Sequence, residues 1–89
     1  MINILIADNN INFAVNLMNY LCKDNCNIKV CNIVKTENEI IEILNLSNNI
    51  DLILLNYNMF VYNKNYILKY IKQNKLIHFI VYKDQILHQ

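Results

Sequence analysis

Residues 50–58 read IDLILLNYN, and this stretch decides the fold of the chain. Its four consecutive apolar residues, 52–55, leave no polar face, which is typical of a strand covered on both sides in a parallel sheet. The polar segment NYN ends that strand. Residues 2–7, INILIA, form a similar apolar run and lead into the polar cluster 8–10. We therefore expect both segments to be strands inside a parallel sheet.

The rest of the chain alternates between helical and strand patterns. Apolar residues at helical spacing predict helices from residue 11 or 12 to about 22, from Thr36 to 46 or 47, and a third that includes 66–71. Thr36 followed by Glu39 forms a capping box that opens the second helix. A less buried strand is predicted at 28–34 and a fourth strand at 76–82. The order β-α-β-α-β-α-β predicts an α/β three-layer sandwich with a parallel sheet, one domain over residues 1–89.

Composition excludes several classes of protein. Hydrophobic residues make up 55% of the 89 residues and charged residues 17%, which is the balance of a globular chain. The net charge of +1 comes without a basic block, so no nucleic-acid arm is indicated. Every apolar run stops short of the roughly 18 residues of a membrane-spanning helix, and the N-terminus lacks the basic start of a signal peptide. We therefore expect a cytoplasmic protein without membrane contact.

Two features of the composition bear on local structure. The three cysteines, Cys22, Cys26 and Cys31, are an odd number for a disulfide framework, so we expect reduced thiols that behave as small buried apolar groups. The chain has no Gly and no Pro. Turns that need a positive φ must therefore use another residue, and we expect the abundant Asn to take that place.

The topology directs attention to the strand ends. In parallel α/β sheets, binding sites lie beyond the carboxyl ends of the strands, at the point where the strand order reverses. The residues that follow strands one, three and four are Asp8, Asn9 and Asn10; Asn56, Tyr57 and Asn58; and Tyr82, Lys83 and Asp84.

Two segments at these strand ends resemble the receiver domain of bacterial response regulators. Residues 2–10, INILIADNN, are similar to the family's first strand, which ends in a pair of acidic residues. Residues 50–59, IDLILLNYNM, are similar to its third strand, which runs into the phospho-accepting Asp and then a Met. The segments resemble those of regulators from low-GC bacteria, including the sporulation-initiation type. The resemblance implies a flavodoxin-like fold with strand order 2-1-3-4-5, of which this chain covers about four of the five β-α units.

The same resemblance implies a pocket that has lost its chemistry. A receiver uses one carboxylate to attack phosphorus, and a Mg²⁺ ion held by this acceptor and the acidic pair neutralises the developing charge. Asn56 stands at the acceptor position and Asn9 at the second acidic position, so Asp8 alone keeps a carboxylate. An amide is no nucleophile toward phosphorus. We therefore expect no catalytic residue, no cofactor, and at best weak Mg²⁺ binding by Asp8, with Asn58 as a further member of the vestigial pocket.

Two positions in this pocket keep alternatives open. Tyr82 stands where the family has a Ser or Thr that follows the phosphoryl group, which makes it a candidate aromatic switch; Lys83 would take that place if the register slipped by one. Asp8 is either a residual Mg²⁺ ligand or the cap of the following helix, and the sequence favours neither.

The lack of a fifth β-α unit is expected to leave the fourth strand as a bare edge. Ile77, Phe79 and Val81 would then lie on an unpaired strand, which is a template for pairing with another chain. We expect self-association through this edge or a protein partner, and no direct contact with nucleic acid.

These features favour a phosphorylation-independent signalling module of a two-component or phosphorelay regulator. It would act by protein–protein contact and would not be an enzyme. Two alternatives remain: the N-terminal part of a longer DNA-binding response regulator, or a receiver still phosphorylated on Asp8. A flavodoxin-type cofactor binder would need a hydroxyl- or Gly-rich phosphate loop, which the sequence lacks.

Overall fold

The computed structural model describes residues 1–46, 49–59, 67, 69–71, 73 and 77–83. Its strands are β1 (Ile2–Ala7), β2 (Ile28–Val34), β3 (Leu52–Asn56) and β4 (His78–Tyr82), and its helices are α1 (Ile11–Cys22) and α2 (Glu37–Leu46). Residues 57–59 are also helical, as are 67, 69–71 and 73, so the described part of the predicted third helix is helical. The predicted positions Tyr66, Leu76 and Asp84 lie outside the described residues.

The four strands form one parallel sheet in the order β2-β1-β3-β4. The predicted α/β class with a parallel sheet is therefore confirmed. β1 lies between β2 and β3 because its apolar side chains cover both faces, with Ile4 and Ile6 on one side and Leu5 and Ala7 on the other. β2 is an outer strand in which Val34 is the buried residue, as its less apolar sequence predicted.

Helices pack on both faces of the sheet, which gives the predicted three layers. Ala14 of α1 is buried against Ile4 and Ile6 on one face. The opposite face carries a larger cluster that joins the strands to α2 and to the third helical segment. Its buried helical members are Ile40, Leu44, Met59, Ile67 and Ile71. Because β1, β3 and β4 are paired in parallel, all three end at the same edge of the sheet.

Side-chain caps determine where both helices begin. Asn10 has extended backbone angles before α1, and its Oδ1 accepts a hydrogen bond from the Phe13 N–H at 3.1 Å. The predicted capping box is confirmed at α2, because Thr36 Oγ1 accepts from the Glu39 N–H at 3.2 Å and Glu39 Oε1 accepts from the Thr36 N–H at 3.1 Å. The Lys35 N–H also donates to Glu39 Oε1, at 2.7 Å. This bond is the main reason that the pKa of Glu39 lies below 4.5.

Two predictions about local structure are wrong. Among the described residues, the positive φ belongs to Asp24, at 60°, and not to an Asn. It lies in a turn where the Asn25 N–H donates to the Cys22 carbonyl at 3.4 Å, and Asp shares the short polar side chain that makes this conformation tolerable. The three cysteines are free, but all are exposed and none is buried. They lie at the end of α1, in the turn after it, and on the outer strand β2.

Candidate functional site

Side chains from three strand ends meet at the carboxyl edge of the sheet. Asp8 follows β1, Asn56 is the last residue of β3, and Tyr82 is the last residue of β4. The register brings them together, since Ala7 pairs with Leu55 and Asn56 pairs with Tyr82. Asp8 and Asn56 are both buried, with 0% and 1% of their surface exposed. The two central positions of the predicted pocket therefore form a buried polar cluster.

The Asp8 carboxylate accepts three hydrogen bonds in this cluster. Its Oδ1 accepts from the backbone N–H of Asn10 at 2.8 Å. Its Oδ2 accepts from Asn56 Nδ2 at 3.2 Å and from the Tyr82 hydroxyl at 2.5 Å. The carboxylate thus acts as an acceptor throughout, as an ionised acid does. Neutral donors from within the chain stabilise a fully buried negative charge, which would otherwise be costly.

A second contact orients the Asn56 side chain. Its Oδ1 accepts a hydrogen bond from the Asn58 N–H at 2.8 Å, so its Nδ2 is turned toward Asp8. An aspartate at this position would present an oxygen to Asp8 in place of the donor. The amide therefore suits the carboxylate beside it.

Three aromatic side chains lie in or around the site. The Tyr82 ring stacks on Phe13, in the first turn of α1, with centroids 5.8 Å apart and an interplanar angle of 27°. Next to it, the Lys83 ammonium lies 5.5 Å from the centroid of the exposed Tyr57 ring, within cation–π range. Tyr82 is therefore the residue of its strand end that enters the cluster. Lys83 stays outside it.

The other predicted residues take different places. Asn9 and Asn58 are exposed, and Asn58 joins the cluster through its backbone N–H. Asn10 is the N-cap of α1, whereas Asp8 accepts a hydrogen bond from the Asn10 N–H and does not cap the helix itself. The roles of Asn10 and Phe13 were not predicted from the sequence. A polar residue directly before an apolar helical pattern is a signal for an N-cap such as Asn10. Helical spacing predicts that Phe13 lies on an apolar helix face, but it does not predict a contact with Tyr82.

The donor set does not suit a divalent cation. Mg²⁺ takes oxygen ligands in octahedral geometry and is bound by carboxylates. In this cluster Asp8 is the single carboxylate, and both of its oxygens already accept hydrogen bonds from the chain. Across the described residues, no three His, Cys, Asp or Glu side chains are grouped as ligands for a metal ion. An incoming cation would have to displace the Tyr82 hydroxyl and turn the Asn56 amide around.

Comparison with protein-family models, with curated proteins and with solved structures finds no match to this chain. No helix within the described ranges has the length and apolar character needed to traverse a bilayer. The geometry of the strand ends is therefore the basis on which a function is assigned.

Proposed function

We propose that the chain is a receiver-like signalling module of a two-component or phosphorelay regulator, and that it works without phosphorylation, through contact with protein. The hydrogen-bonding of Asp8 carries the proposal. Asn56 and Tyr82, at the acceptor and switch positions, both donate to Asp8 Oδ2. The residues that would bind Mg²⁺ and a phosphoryl group instead satisfy one another. We propose that the module is cytoplasmic and has no catalytic activity of its own.

The burial of Asp8 argues against its use as an alternative phosphoryl acceptor. A nucleophilic carboxylate must reach phosphorus in line with the leaving group, and it needs a cation to offset the charge that develops. Asp8 is 0% exposed, and its oxygens accept from Asn10, Asn56 and Tyr82. A longer DNA-binding regulator that contained this domain would carry the same closed pocket. Its output would then have to be controlled by contact as well.

The test is an amide NMR titration of the chain with Mg²⁺, before and after addition of beryllofluoride, which mimics an aspartyl phosphate. We expect no saturable shifts at Asp8, Asn56 or Tyr82. Saturable shifts centred on these three residues would contradict the proposal and would favour a working pocket.

A matched variant gives the titration a positive control. Asn9→Asp, Asn56→Asp and Tyr82→Thr together restore the three receiver-type side chains at the positions that carry the resemblance. We expect this triple variant to gain Mg²⁺-dependent shifts that the natural chain lacks.

A further inference from the structure

The outer edge of β4 presents backbone groups that β3 does not use. The His78 N–H points toward β3, where it donates to the Asp51 carbonyl at 3.1 Å. Because successive residues of a strand direct their N–H and C=O groups to opposite edges, those of Phe79 and Val81 point away from β3. Among the described strands, β4 pairs with β3 alone.

A row of apolar side chains crosses the sheet and ends at this edge. On the α1 face, Ile33 pairs with Ile6, Ile6 with Leu54, and Leu54 with Ile80. Ile6 is fully buried, whereas Ile80 is 53% exposed. The row therefore ends in an exposed isoleucine beside outward-pointing backbone groups. On the other face, the side chains of Phe79 and Val81 pack against the larger core cluster. The predicted edge residues Ile77, Phe79 and Val81 thus offer their backbone, and the exposed apolar side chain is that of Ile80.

We propose that the occupant of this edge is a second copy of the chain, paired antiparallel through β4 about a two-fold axis at Ile80. The inference rests on the proposed function, since it names the protein partner as the chain itself. Phe79 and the partner's Val81 would exchange both backbone hydrogen bonds, and symmetry would repeat this pair on the other side of the axis. Ile80 would face the partner's Ile80 at the closer, non-hydrogen-bonded position. Two four-stranded sheets would become one of eight strands.

The edge is complementary to itself in apolar character and in charge. Pairing Ile80 with its copy joins the two apolar rows end to end, and pairing Phe79 with the partner's Val81 is an aromatic–β-branched contact that favours strand association. The same register sets Lys83 opposite the partner's Ile77, so the lysines do not oppose each other. Within 78–82 the sequence HFIVY has no charged residue or proline of the kind that protects an edge strand.

The small size of the edge makes the expected dimer weak. β4 has five residues, and a stable interface generally buries on the order of 800 Å² from each partner. A pairing along one such strand therefore gives an association that depends on protein concentration.

Symmetric disulfide cross-linking tests the register directly. In a background of Cys22→Ser, Cys26→Ser and Cys31→Ser, which removes the three exposed thiols, Ile80→Cys places two Cα atoms about 4.5 Å apart across the axis, within disulfide reach. His78→Cys is the matched control on the same exposed face. Its two copies would lie about 13 Å apart along the strands. We expect the Ile80→Cys chain to form the disulfide-linked dimer under mild oxidation. Equal cross-linking of the two variants, or none in either, would overturn the proposal.

Sedimentation equilibrium of the natural chain tests the association without a cross-link. We expect a monomer–dimer equilibrium, and we expect Ile80→Lys, which opposes two charges on the axis, to raise the dimer Kd about tenfold or more. The matched control is Tyr20→Lys, which adds the same charge at a residue of α1 that is 78% exposed. A natural chain that stays monomeric, with slow amide exchange at Phe79 and Val81, would mean that another segment covers the edge and would refute the pairing. A dimer unaffected by Ile80→Lys would refute it as well.

These results stay separate from the proposed function. The beryllofluoride titration reads the Asp8 pocket and sedimentation reads the β4 edge. A monomeric chain that is silent to beryllofluoride would reject the pairing and leave the closed pocket intact. A chain that responds to beryllofluoride would reject the closed pocket, whatever its oligomeric state.

Discussion

Removal of the Tyr82 hydroxyl should test the closed pocket through stability. Tyr82→Phe keeps the ring that stacks on Phe13 but deletes the 2.5 Å hydrogen bond to Asp8 Oδ2. A hydrogen bond to a charged group contributes about 1.5–3 kcal/mol to stability. The value should lie in the lower half of this range, because Tyr82 is only half-buried and Asn56 still donates to the same oxygen.

Urea unfolding followed by far-UV circular dichroism measures this loss. For a small domain the slope is about 1 kcal/mol per M urea, so the midpoint should fall by about 1.5–2 M. Tyr20→Phe is the control, because Tyr20 is a tyrosine of α1 that is 78% exposed, and its midpoint should stay unchanged.

A double-mutant cycle with Asp8→Asn separates the charged hydrogen bond from packing. In the Asp8→Asn background the hydroxyl faces a neutral amide, and Tyr82→Phe should cost about 1 kcal/mol or less. An equal cost in both backgrounds would refute the reasoning, because the hydroxyl would then not be stabilising a buried charge. A midpoint shift no larger than that of Tyr20→Phe would refute it more simply.

Three further predictions concern a turn, a helix cap and position 56. Asp24→Gly should raise the free energy of unfolding by about 0.5 kcal/mol, because Gly adopts the φ of 60° without a steric cost. The urea midpoint of this variant measures the gain, and Asp24→Asn is the variant with which it is compared. The Lys35 N–H lowers the pKa of Glu39, so the stability that the Glu39 carboxylate contributes should be present above about pH 4.5 and lost as the pH falls through the lowered pKa. The difference in urea midpoint between the natural chain and Glu39→Gln should therefore change in that pH range and stay constant above it. Asn56→Asp alone should destabilise the chain by about 3 kcal/mol, since it buries a second carboxylate beside Asp8 with no cation to offset the charge. Added Mg²⁺ should recover part of this loss in the same urea assay. A variant that is as stable as the natural chain without Mg²⁺ would contradict this prediction.

The fold was predictable because its signals are local. The apolar runs of β1 and β3 identify strands covered on both faces, and the Thr36–Glu39 capping box places the start of α2 within the sequence itself. The positive φ of Asp24 was assigned to the wrong residue type, because Asn and Asp share the local chemistry that permits it.

The site was predictable in its members but not in its bonding. Alignment of strand ends placed Asp8, Asn56 and Tyr82 at one edge, since carboxyl ends of parallel strands meet there. That the Tyr82 hydroxyl reaches Asp8, 74 positions away along the chain, depends on the register of β4 against β3. The stack of Phe13 on Tyr82 depends in addition on how α1 packs on the sheet. Neither contact has a local sequence signal.

The contacts at Asp8 also show how Asn56 and Tyr82 are related to each other. An abundance of Asn in this sequence makes independent drift a simple explanation for Asn56 considered alone. A carboxylate that is 0% exposed needs donors, however, and an amide and a phenol supply them on the same oxygen. An aspartate at position 56 would add a charge where a donor is needed, and a residue at position 82 without a hydroxyl would leave Oδ2 with one bond fewer. The two side chains therefore act as a matched pair. Under the proposed function, the absence of phosphoryl transfer and the stability of the pocket have the same physical origin, which is the donation of Asn56 and Tyr82 to Asp8.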